Sequence, residues 1–247
     1  MVQNLNQLVH SVTYTMQQND SEAFFRNIKD LQKYDLTHIF TRLSSSEQEI
    51  FLEFISISLL ADVLSELDGE NQLKVINILD MRKVALAVTE MNNDDLVSLL
   101  SQLDEEKSRK LMSYLDEELS ADIINLLDFP PETAGRLMNN KMVWINQAYT
   151  VREAVDKLKQ FAELAEYLNY LHVIDNDKKL VGVVSYRDLL LGDIHQKIED
   201  IMNTRIVTVD ALMDQEEVAR TIQRYDFVTI PVIDEESKLL GIVTVDD

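Results

Sequence analysis

A chain of 247 residues with 46% hydrophobic content can bury one large core or two ordinary ones, and its net charge of -21 opposes any anionic surface. Nucleic acid and acidic bilayers are thereby excluded as partners, while cations and basic proteins become natural ones. The absence of cysteine removes disulfides and thiolate zinc sites and agrees with a reducing compartment.

The opening "MVQNLNQLVH" lacks the cationic flank and apolar core of a signal peptide, so none is expected. The best apolar stretch, Phe54 to Ala61, is far too short to span a bilayer, and the chain as given is expected to be soluble and cytoplasmic.

A twelve-residue beat runs through the first half. Leu43, Ile55, Leu67, Leu79, Met91, Leu103, Leu115 and Leu127 are all apolar, and each is followed by Ser, Asp or Asn, the side chains that best cap helix N-termini. The interval leaves room for one short helix with apolar positions three and four apart, as in Leu60, Val63, Leu64 and Leu67. Helices this short do not stand alone in water, so residues from about 20 to 130 are read as a stacked array with a 24-residue pair repeat. The repeated "LDEE" at Leu103 and Leu115 needs no metal, because acids in a first helical turn complement the macrodipole. "FPPETAG" (Phe129 to Gly135) holds two of the three prolines and marks the approach to a boundary.

Beyond it the texture changes to β-branched runs that repeat. "LMNNKMVWI" at Leu137 matches "IMNTRIVTV" at Ile201, and "LHVIDNDKKLVGVVSYRD" at Leu171 matches "IPVIDEESKLLGIVTVDD" at Ile230. Each copy reads as a short strand, a helix, a "VID" strand, an Asp/Asn/Ser-rich turn, a strand opening on Gly182 or Gly241, and a helix start. The glycines are read as serving the turn. This pattern resembles a tandem pair of cystathionine β-synthase type (CBS) domains.

That resemblance implies clefts able to hold an adenine nucleotide such as ATP. The corresponding positions are Tyr170, Ser185, Arg187 and Asp188 of the first copy with Phe227 and Pro231 of the second; Thr244 and Asp247 repeat Ser185 and Asp188. The alternative for Ser185 and Thr244 is plain helix capping, with the Asp at the third helical position. Trp144 is read as core.

Helical array, CBS pair, "AGRLM", "DQEEVAR" and "YDFVTIPVID" together resemble the cytosolic part of MgtE-type magnesium channels. The expected architecture is multidomain: an all-α superhelical array (1-132), then an α/β CBS pair (133-200 and 201-247), the second copy ending before its closing helix. The resemblance implies a homodimer through the CBS domains, a transmembrane pore elsewhere in the full-length chain, and a place on the cytoplasmic side of the membrane. It also implies that Mg²⁺ bridges acidic faces to favour closure, through Asp62, Asp94, Glu216, Asp226, Asp247 and a main-chain carbonyl at Gly135 or Arg136. A turn beyond Asp94, where relatives can carry a second acid, stands Ser98. The competing reading is a nucleotide-sensing CBS module with a helical docking scaffold. An enzyme is not expected: His10, His38, His172 and His195 show no ligand spacing, and there is no P-loop or nucleophile elbow.

Overall fold

The twelve-residue beat becomes visible structure. A computed structural model describes residues 5–161 and 170–246 in two compact units that divide between Ala121 and Asp122. The first opens with α1 (Leu5–Gln17) and α2 (Ser21–Ile28). It continues with α3 (Lys33–Arg42), α4 (Ser45–Phe54), α5 (Ile57–Glu66), α6 (Gly69–Ile78), α7 (Met81–Val88), α8 (Asn93–Gln102) and α9 (Glu105–Met112); α10 (Glu117–Leu127) runs on into the second unit. From α2 to α10 a helix begins every twelve residues. Although α7 and α9 reach their C-caps two residues before the beat, at Thr89 and Ser113, at most positions the beat's apolar residue is the helix C-cap, held extended, as in Leu43 (ψ 148), Ile55 (ψ 141), Leu67 (ψ 142) and Leu103 (ψ 148). Its neighbour is the next N-cap, as where Asp68 and Asp104 accept from Asn71 and Lys107 amides at 2.9 Å. The two periodicities are in phase because these two residues make up the whole connection at α3–α4, α4–α5, α5–α6, α6–α7 and α8–α9, and close the four-residue connections α7–α8 and α9–α10.

Alternate helices then pack: α3 on α5, α5 on α7, α7 on α9, and α6 on α8. That skip-one stacking is the 24-residue pair repeat. Phe24, Phe40 and Phe51 knit the first layers, with ring centroids 5.5 Å apart for Phe24–Phe51 and for Phe40–Phe51. Asp128 continues the sequence beat without capping a helix, because two prolines follow and the next helix, α11 (Ala134–Leu137), starts only after Thr133.

In the second unit the copies share one plan. β1 (Trp144–Asn146), α12 (Val151–Gln160), β2 (Tyr170–Ile174), β3 (Leu180–Ser185) and α13 (Tyr186–Leu191) form the first; α14 (Ile198–Ile201) leads into β4 (Val209–Asp210), α15 (Gln215–Tyr225), β5 (Thr229–Ile233) and β6 (Leu239–Thr244). Each sheet has three strands, the first pair parallel and the second antiparallel, with a register shift at the matching places Val173/Ile174 and Val232/Ile233.

The lead-in segments are exchanged between copies. Asn139, ahead of the first copy, trades backbone hydrogen bonds with Ile242 of β6 at 2.8 and 3.0 Å; Asn203, ahead of the second, trades the same pair with Val183 of β3 at 2.8 and 3.0 Å. The turns also meet, Leu180 N donating to Ser237 O (2.9 Å) and Leu239 N to Lys178 O (3.2 Å). An approximate two-fold therefore relates the copies.

This exchange corrects the reading of the glycines. No glycine has positive φ; the turns take it at Lys178 and Ser237, each at 64°. The strands open at Leu180 and Leu239, and Gly182 and Gly241 lie inside them because a methionine of the exchanged segment crosses there. A Cβ at Gly182 would sit 2.6 Å from Met202 Sδ, and one at Gly241 2.9 Å from Met138. Trp144, expected in the core, is half-buried instead, with Lys157 Nζ 3.5 Å above its ring.

Candidate functional site

In the second copy, α15 is capped by Asp214, whose carboxylate accepts from Glu216 N at 2.9 Å, and it buries Val218 and Ile222. It ends at Asp226 in the left-handed conformation (φ 54), a short polar residue that tolerates this backbone. Beside the helix opens a cleft of about 630 Å³, lined by Leu137, Glu216, Ile222, Asp226, Phe227 and Thr244 among others. Sequence reasoning named four of these, Glu216 and Asp226 for metal and Phe227 and Thr244 for nucleotide; the fold brings them to one place. Leu137 joins them only because the lead-in segment is exchanged.

Glu216 and Asp226 sit at opposite ends of the helix, roughly 15 Å apart at 1.5 Å per residue, so one ion cannot take both. Glu216 is exposed and meets Arg220 at 2.9 Å. Phe227 is half-buried and stacks on Tyr225 (5.4 Å between centroids, 16° between planes). The Thr244 hydroxyl donates to Asp246 at 2.7 Å, while Asp247 lies outside the described residues.

The first copy gathers a different group. Tyr170 opens β2, 56% exposed, directly opposite Ser185 at the end of β3. Ser185 and Asp188 form a reciprocal cap: Asp188 N donates to Ser185 Oγ (3.1 Å) and Ser185 Oγ to Asp188 Oδ2 (2.6 Å), with Arg187 exposed between them. Helix capping thus occupies both side chains as they stand. Pro231 is buried in the middle of β5 opposite Ile242. At the matching place in β2 stands His172, which sequence reasoning passed over except as a non-ligand. It is 3% exposed, its Nδ1 is buried without a hydrogen-bond partner, and burial pulls its pKa down to about 4. The signal was there in "LHVID" against "IPVID": the second copy fills the site with a residue that has no donor.

In the helical unit, Asp62 lies half-buried in the middle of α5. Burial above all pushes its carboxyl up; Glu90 and Glu66 push the same way and Lys33 opposes them, itself bound to Glu66 at 2.9 Å. Asp94 lies in the first turn of α8, half-buried, where its charge complements the helix dipole; Ser98 one turn on is exposed. In the second unit, Asn139 N turns away to Ile242 O, so the Gly135 carbonyl does not receive the amide four residues on. Among the described residues no three His, Asp or Glu side chains converge to hold a metal. An ion bound here would rely on one or two carboxylates and its own waters, the habit of Mg²⁺.

Comparison with known proteins decides the family. Residues 31–132 match the model of the MgtE intracellular N domain, and residues 134–193 and 198–247 match the CBS domain. The chain aligns over 98% of its length, and 96% of the other, with the crystal structure of the soluble part of a magnesium transporter, at 33% identity and a TM-score of 0.91.

The chain belongs to the MgtE family.

The magnesium transporter MgtE of Bacillus subtilis (strain 168) is 45% identical over 249 residues, covering 100% of this chain and 55% of that one. The chain spans about half the length of the curated MgtE relatives it matches. A crystal structure of the cytosolic domain of the Mg²⁺ channel MgtE in complex with ATP is also similar, at 32% identity and a TM-score of 0.90 over 96% of this chain and 97% of that one. The MgtE architecture, a helical array followed by a CBS pair, is the one described above. Among the described residues no helix is long and apolar enough to cross a membrane.

Proposed function

We propose that this chain is the cytosolic Mg²⁺-sensing region of a membrane magnesium transporter. The observation that carries the reading is Asp62: a half-buried carboxylate whose affinity for its proton is raised by its own desolvation and by Glu90 and Glu66, with Lys33 opposing them. Such a group gains when a cation arrives. In this reading, scarce Mg²⁺ leaves the acids of the helical array (Asp62, Asp94) and of the CBS pair (Glu216, Asp226, Asp247) repelling one another. Abundant Mg²⁺ bridges them, with the Gly135 or Arg136 carbonyl assisting, and shuts a pore carried elsewhere in the full-length protein. Shifting a two-state balance from 1:99 to 99:1 takes about 10⁴-fold differential affinity, so at roughly tenfold per ion about four ions act together. The domains are residues 1-132, 133-200 and 201-247, and the CBS pairs form a homodimer on the cytoplasmic face of the membrane.

ATP is a second reading, favoured by the ATP complex of the similar MgtE domain and by a cleft of about 630 Å³ beside Phe227. Small-angle scattering and limited proteolysis, titrated separately with Mg²⁺ and with ATP, decide between them. Compaction and protection at millimolar Mg²⁺ without nucleotide are expected; a response to ATP alone would transfer the sensing role to the nucleotide.

A further inference from the structure

The proline-containing segment that joins helical array to CBS pair has the composition of a flexible linker. Its bonding is that of a strut. Arg136 Nη1 reaches back to the Leu127 carbonyl at 2.6 Å, tying down the end of α10, and the Thr133 hydroxyl closes the proline turn on Pro130 O at 2.7 Å. Gly135 lies so close under Phe129 that a Cβ would stand 2.5 Å from the ring. Three backbone bonds then fasten the segment to the second CBS copy: Gln215 N to Glu132 O, Ala134 N to Met213 O, and Gly135 N to Ala211 O, each 2.8 Å. Proline also fixes φ, so Pro130 and Pro131 stiffen what the bonds leave. The division between compact units falls earlier, between Ala121 and Asp122 within α10.

We infer that residues 122–136 are a rigid part of the second CBS copy, so that any pivot of the helical array lies N-terminal to Asp122 rather than at the prolines. Arg136 and Phe129 are its positioning residues, acting through α10. The use of that pivot in Mg²⁺ sensing rests on the function proposed above; the rigidity does not.

The absence of native cysteine lets spin labels be placed cleanly. Exposed Asn125 in α10 and Glu217 in α15 report the strut; exposed Arg82 in α7 with Glu217 reports the array. For Asn125→Cys with Glu217→Cys, electron–electron distance measurements are expected to give one narrow peak that Mg²⁺ does not move, and R136A to lose that narrow peak while leaving the Arg136 main-chain carbonyl in place. A broad or Mg²⁺-shifted distribution in the otherwise wild-type chain overturns the strut, as does an unchanged peak in R136A. Should R136A not fold, amide exchange of the wild-type chain decides: Ala134, Gly135 and Gln215 exchanging as slowly as β5 supports the strut, and fast exchange overturns it. If the Asn125–Glu217 peak is narrow and fixed while Arg82–Glu217 also ignores Mg²⁺, the strut stands and the sensing reading falls.

Discussion

Protonating His172 would place a charge where its Nδ1 has no partner and the side chain is closed off from water. Its folded pKa of about 4 lies below the ordinary imidazole value of 6.5, so the unfolded chain takes up the proton first. The His172 contribution to stability is therefore flat above pH 6.5, declines as pH falls from there toward 4, and is flat again below, a total of roughly 3 kcal/mol at 1.36 kcal/mol per unit. H172L should remove that decline; urea midpoints at about pH 7.5, 5.5 and 4.5 check it, and parallel acid loss in both proteins would refute it. Asp62 runs the other way. Its pKa is raised, chiefly by burial, so the folded state resists its charge, and stability falls as pH rises through the carboxylate range. D62N is expected to raise the melting temperature in metal-free buffer and to reduce the further rise that Mg²⁺ gives; a lower metal-free melting temperature would show that Asp62 is structurally required instead. Neither behaviour could be read from residue type: a histidine in a strand and an acid in a helix become unusual only through what closes around them.

At the scale of elements, the exchanged lead-in segments set the tolerance of the sheets. G182A pushes a Cβ toward Met202, a flexible side chain that can give way. G241A meets both Met138 at 2.9 Å and the Asn139 carbonyl at 2.8 Å, and the latter is backbone in the exchange ladder. Both should destabilise by overpacking, on the order of 1–3 kcal/mol, with G241A the worse, as chemical denaturation would show. M202A should partly restore G182A, and a failure to do so would mean the glycine serves the backbone after all. The helical elements, by contrast, were legible almost to the residue. Most of their connections leave only a C-cap and an N-cap to specify, and both are written as residue types: an extended apolar residue, then Ser, Asp or Asn.

At the scale of the whole molecule, the exchange forbids cutting the repeat where the sequence repeats. A fragment of residues 133–200 keeps the lead-in segment whose partner is β6 and lacks Met202 and Asn203, which cover β3. It should be unstructured at low micromolar concentration and gain structure only by pairing with another copy, whereas residues 122–247 should melt cooperatively. Circular dichroism of the two fragments tests this, and a cooperative melt of dilute monomeric 133–200 would count against it. By itself the sequence determined the helix spacing, the two-copy plan, the charge that favours cations and the family, because caps, periodicity and net charge are local or additive properties. Which copy each lead-in segment joins, why Gly182 and Gly241 must be small, how Glu216, Asp226 and Phe227 come to share one cleft, and why the proline segment is held were decided only by tertiary structure. Those depend on contacts between residues far apart in the chain, and no residue type announces its distant partner.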